Sequence, residues 1–133
     1  MYGLEVRDHI MIAHSFKGEF FGPAQRVHGA TFVCDVAFFR ETLGPNEVVV
    51  DIGAASDTLK AVLAVINYRN LDEVPDFKGL NTTTEFLTKH ICDHLVAVAQ
   101  NGGLGRAATD LKAIRVTLSE SHVARAWYEA RIS

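Results

Sequence analysis

Apolar and polar residues alternate with a period of two near both ends of the chain and with a period close to four in its middle. Tyr2, Leu4, Val6, Ile10, Ile12, His14 and Phe16 share one parity, interrupted by Asp8, while Glu5, Arg7, His9 and Ser15 hold the other. Successive side chains of a strand point to opposite faces, so this alternation predicts a long strand with one buried face. Residues 27–39 predict a second, with His28, Ala30, Phe32, Cys34, Val36 and Phe38 on one side. The linker between them carries Phe20 and Phe21 and is long for a hairpin, which suits a functional loop. From Ser56 the period changes. Leu59, Val62, Leu63 and Ile66 fall at i, i+3, i+4 and i+7, the stripe of an amphipathic helix. Residues 67–82 read as irregular. A second helix is expected to start at Thr82, with Glu85 three residues on as a capping box. Its buried stripe is Leu87, Ile91, Leu95 and Val98, and the glycines after Asn101 end it. Lys112–Leu118 and Ala124–Glu129 alternate again and predict a closing hairpin around Ser121 and His122.

The expected order is strand, strand, helix, helix, strand, strand. That pattern gives an α+β fold: a four-stranded antiparallel sheet with two helices on one face. At 133 residues, 48% of them apolar and 22% charged, the chain reads as one globular domain spanning 1–133. A net charge of −3 gives no nucleic-acid footprint. No apolar run approaches the ~20 residues that a membrane helix needs. Glu5, Arg7, Asp8 and His9 exclude a signal peptide at the start. Cys34 and Cys92 lack framework spacing, so free, buried thiols and a cytoplasmic location are expected.

The candidate chemistry begins with histidines. His14 and His28 lie on the apolar parities of the first two strands. A strand carrying His-x-His presents two imidazoles side by side, and a third from a neighbouring strand completes a three-histidine zinc site. Here the residue two after His28 is Ala30, so the set is one ligand short. A loop residue such as Glu19 is the available substitute. His90 and His94 have metal-compatible spacing, but no Glu follows the first as in His-Glu-x-x-His, and the pair reads as a solvated helix face. Trp127 shares the parity of Arg125 and Glu129, which suits a subunit interface.

Several short segments, in order and at matching spacing, resemble the 6-pyruvoyltetrahydropterin synthase and 6-carboxytetrahydropterin synthase family. Ala13-His14 resembles its first zinc histidine, and His28-Gly29 the start of its His-Gly-His motif. Asp51-Ile52 stands where the family has Asp-Phe, and Ile66-Asn67-Tyr68 where it has Leu-Asp-His. Leu71-Asp72-Glu73-Val74-Pro75 resembles Leu-Asn-Asp-Ile-Pro, and Thr83-Thr84-Glu85 resembles Pro-Thr-x-Glu without the proline. Ser119-Glu120-Ser121 followed by Tyr128 resembles Glu-Thr and a closing tyrosine. The resemblance covers some 120 residues. It implies the tunnelling fold, ββααββ, closed into an oligomeric barrel, and a homohexamer of two stacked rings of three.

The resemblance also implies a lyase that uses zinc to polarise its substrate, 7,8-dihydroneopterin triphosphate. A cysteine, histidine and aspartate move the protons. In this chain the cysteine position is Ala24, the Asp-His pair is Asn67-Tyr68, and the third zinc histidine is Ala30. Alanine carries no proton, an amide is no base, and a phenol is a poor one at neutral pH. Standard synthase activity is therefore not expected. Tyr68 is the candidate left for altered catalysis. Glu120 is the candidate for binding a pterin- or purine-like ligand, since a carboxylate accepts two hydrogen bonds from an amino and ring N–H edge. Thr83 and Thr84 are candidate contacts to the same heterocycle, with Thr82 the better helix cap. His14 and His28 are candidate metal ligands for weak or substoichiometric zinc. Three readings follow: a heterocycle binder without the standard chemistry, an enzyme acting differently on a reduced pterin, and a structural or regulatory oligomer.

Overall fold

The computed structural model describes residues 1–132. Strand β1 (Tyr2–His14) and strand β2 (His28–Arg40) form one antiparallel ladder from Tyr2 opposite Arg40 to His14 opposite His28. Helix α1 spans Ile52–Ala64. A two-residue strand β3 (Arg69–Asn70) follows, then short 3-10 turns at Leu71–Glu73 and Pro75–Phe77. Helix α2 (Thr84–Gln100) precedes the hairpin of β4 (Ala113–Ser121) and β5 (Ala124–Arg131). The sheet order is β3-β1-β2-β4-β5. Among the described residues, no helix is long and apolar enough to cross a membrane.

Both helices lie on one face of the sheet. Val6, Ile10, Phe32, Val36, Phe38, Val116 and Leu118 of the strands share a single buried cluster with Leu59 and Leu63 of α1 and Leu87, Ile91 and Leu95 of α2. The period-two and period-3.6 stripes meet there, and this burial is the main drive for the fold. The opposite sheet face is polar. On it Arg7 holds Asp35 through two hydrogen bonds, 2.6 and 3.0 Å long.

The expected architecture stands, with four local corrections. The sheet has five strands rather than four, because Arg69 and Asn70 pair in parallel with Ile12 and Ala13. So short a pairing leaves no alternation to read. Helix α1 begins at Ile52, not Ser56, because the Asp51 carboxylate accepts the Ala54 N–H at 2.7 Å and caps the helix there. Helix α2 begins at Thr84, not Thr82. Thr83 Oγ1 accepts the Phe86 N–H at 3.1 Å, so Thr83, and not Thr82, is the cap. The linker between β1 and β2 is wound into a 3-10 segment at Glu19–Gln25. The glycine-rich end of α2 is as expected; a Cβ at Gly103 would lie 2.5 Å from Val98 Cγ1, so the chain passes too close there for any side chain.

Candidate functional site

Register places His14 directly across from His28, with ring centroids 4.6 Å apart. His14 is 2% exposed. Its Nδ1 lies 3.0 Å from the Thr82 carbonyl oxygen and 3.1 Å from Thr82 Oγ1. A carbonyl only accepts, so Nδ1 carries the hydrogen and Nε2 keeps its lone pair. His28 is fixed in the same way, its Nδ1 donating to the Arg26 carbonyl at 2.8 Å. Burial, and then the neighbouring His28, lower the pKa of His14. The pair is thus oriented like metal-ligating imidazoles. Zinc centres, however, use three or four protein ligands. Among the described residues no third His, Cys, Asp or Glu joins the two, Glu19 included. Position 30 offers a methyl group. The donor set does not fit the three-histidine zinc centre that the resemblance implies. What packs on the rings is aromatic: the Phe16 centroid lies 4.5 Å from His14 and 5.5 Å from His28, and Phe21 lies 4.8 Å from Phe16.

Glu120 occupies a β-bulge. Ser119 pairs with Arg125 and Ser121 with Ala124, so Glu120 is the residue left over. A bulge bends its strand and re-aims the side chain. Glu120, Thr84, Glu85 and Arg125 line one depression of about 230 Å³. An adjoining one of about 370 Å³ is lined by Glu120 with Thr31, Ser119, His122 and Arg125. Capping at Thr83 explains why Glu85 is here. With that cap the third helical position is Phe86, so no capping box forms and Glu85 borders the depression instead. The sequence reading missed Glu85. Three threonines in a row offered three possible caps, and only a cap at Thr82 would have tied Glu85 up. Two carboxylates beside a cation make a polar wall suited to a flat ligand rich in N–H donors. Thr83 spends its hydroxyl on the cap, while Thr84 borders the depression.

Tyr68 lies elsewhere. Its φ is 60° and it is 79% exposed. Its N–H donates to the Met11 carbonyl at 2.7 Å, and Asn67 Oδ1 accepts the Met11 N–H at 2.9 Å. Asn67 and Tyr68 therefore complete the outer edge of β1 as a strand would. With Met11, Ile12 and Ala13, Tyr68 borders a shallow depression of about 280 Å³. Within one chain β2 separates this edge from the β4–β5 hairpin that carries Glu120.

The remaining candidates differ in their surroundings. His94 is exposed as expected, whereas His90 is half-buried, its ring 4.7 Å from Phe77 and 4.4 Å from His94, and it borders a depression of about 440 Å³ with Glu85 and Trp127. Burial, and then the His94 imidazole, lower its pKa. The Cys34 and Cys92 thiols are buried and pushed up to about 12 and about 11, so neither is a ready nucleophile. Trp127 is 64% exposed in the single chain.

Comparisons with known proteins identify the family and the fold. The model of the 6-pyruvoyl tetrahydropterin synthase family matches residues 3–131. The fold is similar to that of the Caenorhabditis elegans 6-pyruvoyl tetrahydropterin synthase, with a TM-score of 0.80 at 22% identity over 97% of this chain and 95% of that one. The Plasmodium vivax enzyme gives 0.75 at 15% identity, over 99% and 100% of the two chains. A Plasmodium vivax variant with its catalytic glutamate changed to alanine gives 0.76 at 17% identity, over 98% of each. No curated protein matches the chain. A family match across almost every described residue, joined to the tunnelling fold, is decisive: the chain belongs to the 6-pyruvoyl tetrahydropterin synthase family.

Proposed function

We propose that this protein binds a pterin- or purine-like heterocycle where Glu120, Glu85 and Thr84 meet, and that it does not carry out the standard synthase reaction. The convergence of two carboxylates and a hydroxyl on one depression carries the reading. The amino and ring N–H edge of a pterin or guanine donates two parallel hydrogen bonds to one carboxylate, which fixes orientation as well as affinity. Arg125 borders the same depression and brings a positive charge to it. Ala24, Asn67 and Tyr68 stand where the resemblance implies the proton-moving groups, and they supply no thiol, carboxylate or imidazole. Calorimetry with neopterin, biopterin and guanine tests binding, with submillimolar affinity expected for at least one. If none binds, the structural oligomer is the better account. Incubation with 7,8-dihydroneopterin triphosphate is expected to give no pyruvoyl or carboxy product, and robust turnover would overturn that half.

The assembly belongs to the same proposal. Strand β5 is one sheet edge, and β3 covers the other only at Ile12 and Ala13. Exposed edges need covering, and pairing β5 of one copy with β1 of the next closes a ring of three. Two rings make the homohexamer. This pairing buries Trp127 at the contact and brings Tyr68 of one copy towards the Glu120 depression of its neighbour. A monomer in sedimentation at micromolar concentration would refute it. His14 and His28, with two nitrogens between them, hold zinc weakly and substoichiometrically, and His14→Ala removes what is bound.

One observation favours a second reading. The Plasmodium vivax relative uses a glutamate as a catalytic residue, so a carboxylate serves catalysis in this fold. Glu120 or Glu85, with Tyr68, would then act on a reduced pterin. Turnover of 7,8-dihydroneopterin abolished by Glu120→Gln would favour this over simple binding.

A further inference from the structure

The two histidines that fall short of a zinc centre sit beneath a loop, and something holds both in place. Phe16 follows His14 by two residues on the same parity. Its ring meets His14 edge-on at 4.5 Å and an interplanar angle of 60°, and His28 at 5.5 Å and 77°. Phe21, within the 3-10 segment, packs on Phe16 at 4.8 Å, and the exposed Phe20 leans on Phe21 at 5.2 Å. The Phe16 N–H donates to the Ala24 carbonyl at 3.0 Å, which draws the far end of the segment back to the strand.

The start of the loop has separate fasteners. Ser15 donates its N–H and its hydroxyl to the Asp72 carboxylate, and Lys17 exchanges two backbone hydrogen bonds with the Asn81 amide. Neither reaches residues 19–25. Gly18 at φ 119° and Gly22 at φ 52° bend the chain at two points of that stretch. Besides the bond from the Phe16 N–H to the Ala24 carbonyl, its anchor is the packing of Phe21 on Phe16.

We propose that Phe16 is the positioning residue of this region: it packs edge-on against both imidazoles of the His14–His28 pair and fastens the 19–25 segment over them, without a metal ion. Aromatic rings in edge-on contact prefer defined angles, so the ring orients as well as fills space. Such a clamp, unlike a metal centre, needs no deprotonated ligand set and ignores chelators.

The test is native-state amide exchange on the full-length protein, with and without a chelator, alongside metal analysis. With wild type, a chelator should leave exchange in residues 19–26 unchanged. Phe16→Ala should speed exchange there by about tenfold or more while the β2 amides from Val33 to Phe39 keep their protection. Phe16→Tyr, which retains the ring, should restore it. Phe21→Ala lies outside the sheet and gives the same local effect should Phe16→Ala not fold. A second readout is specific to positioning: the imidazole nitrogen resonances of His14 and His28 should show the Nδ1–H form in wild type and averaged forms in Phe16→Ala. The proposal is overturned if a chelator alone loosens the loop, or if neither alanine variant changes its exchange.

Discussion

The two polar regions flanking the start of α2 have been resolved in opposite ways. At the His14 end the site is closed. His14 is buried and His28 half-buried, both Nδ1 atoms are satisfied by backbone carbonyls, and the Phe16 ring packs on both imidazoles. At the Glu120 end the site is open, with two carboxylates, the hydroxyls of Thr31, Thr84, Ser119 and Ser121 and an arginine around two adjoining depressions. The difference follows from solvation. Polar atoms in a buried site must find partners within the protein when a ligand is lost, and among the described residues no buried side-chain nitrogen or oxygen lacks one. Carboxylates at an open site are satisfied by water when empty, so they can persist with no repacking at all.

That contrast can be broken from either end. The largest effect is expected from Ala30→His, which would give the closed end its missing donor. Zinc should rise from a small fraction to about one per chain, and melting should become chelator-sensitive. Metal analysis that finds no gain would mean that the imidazole pair is not poised for an ion. At the open end, Glu120→Gln should weaken heterocycle binding by about ten- to a hundredfold, as expected when a charge-assisted hydrogen bond worth ~1.5–3 kcal/mol is degraded. Titration calorimetry reads this, with metal content unchanged. Glu85→Gln should weaken it less if Glu120 is the principal acceptor.

Smaller effects separate the ends more finely. Thr82→Val removes the hydroxyl beside His14 and should cost about 1 kcal/mol in urea unfolding. Thr84→Val should cost less than about 0.5 kcal/mol yet weaken ligand binding. Acid gives the smallest contrast. His14 and His90 both have pKa values lowered from 6.5, chiefly by burial. Below 6.5 the unfolded chain therefore takes up more protons than the native one. Stability should be complete above that value and decline as the pH falls beneath it. Urea melts across the range should show the decline, and His90→Gln should flatten it. A profile that rises on acidification would contradict the assigned burial.

Most of the fold was legible because burial imposes period on sequence. The stripe Val6, Ile10, Ile12 and its partner Phe32, Cys34, Val36, Phe38 announce two strands, and Leu59 with Leu63 announces α1. What escaped lacks period. Arg69 and Asn70 form a strand only because β1 is beside them. The threonine run 82–84 leaves the helix start ambiguous, and Glu85 was missed with it. The Glu120 bulge likewise depends on how β4 and β5 align. The closed nature of the His14 end was invisible too, because the contacts of Phe16 and Phe21 depend on a loop whose path no local pattern specifies.

Thr82, Thr83 and Thr84 do three different things in three consecutive positions: one holds His14, one caps α2, one borders the Glu120 depression. The run therefore acts as a ruler. Inserting or deleting a single residue there would rotate α2 by about 100° relative to one neighbour or the other, so this stretch tolerates changes of letter far better than changes of length. Homologous chains should keep an unbroken residue count from His14's threonine to Glu85.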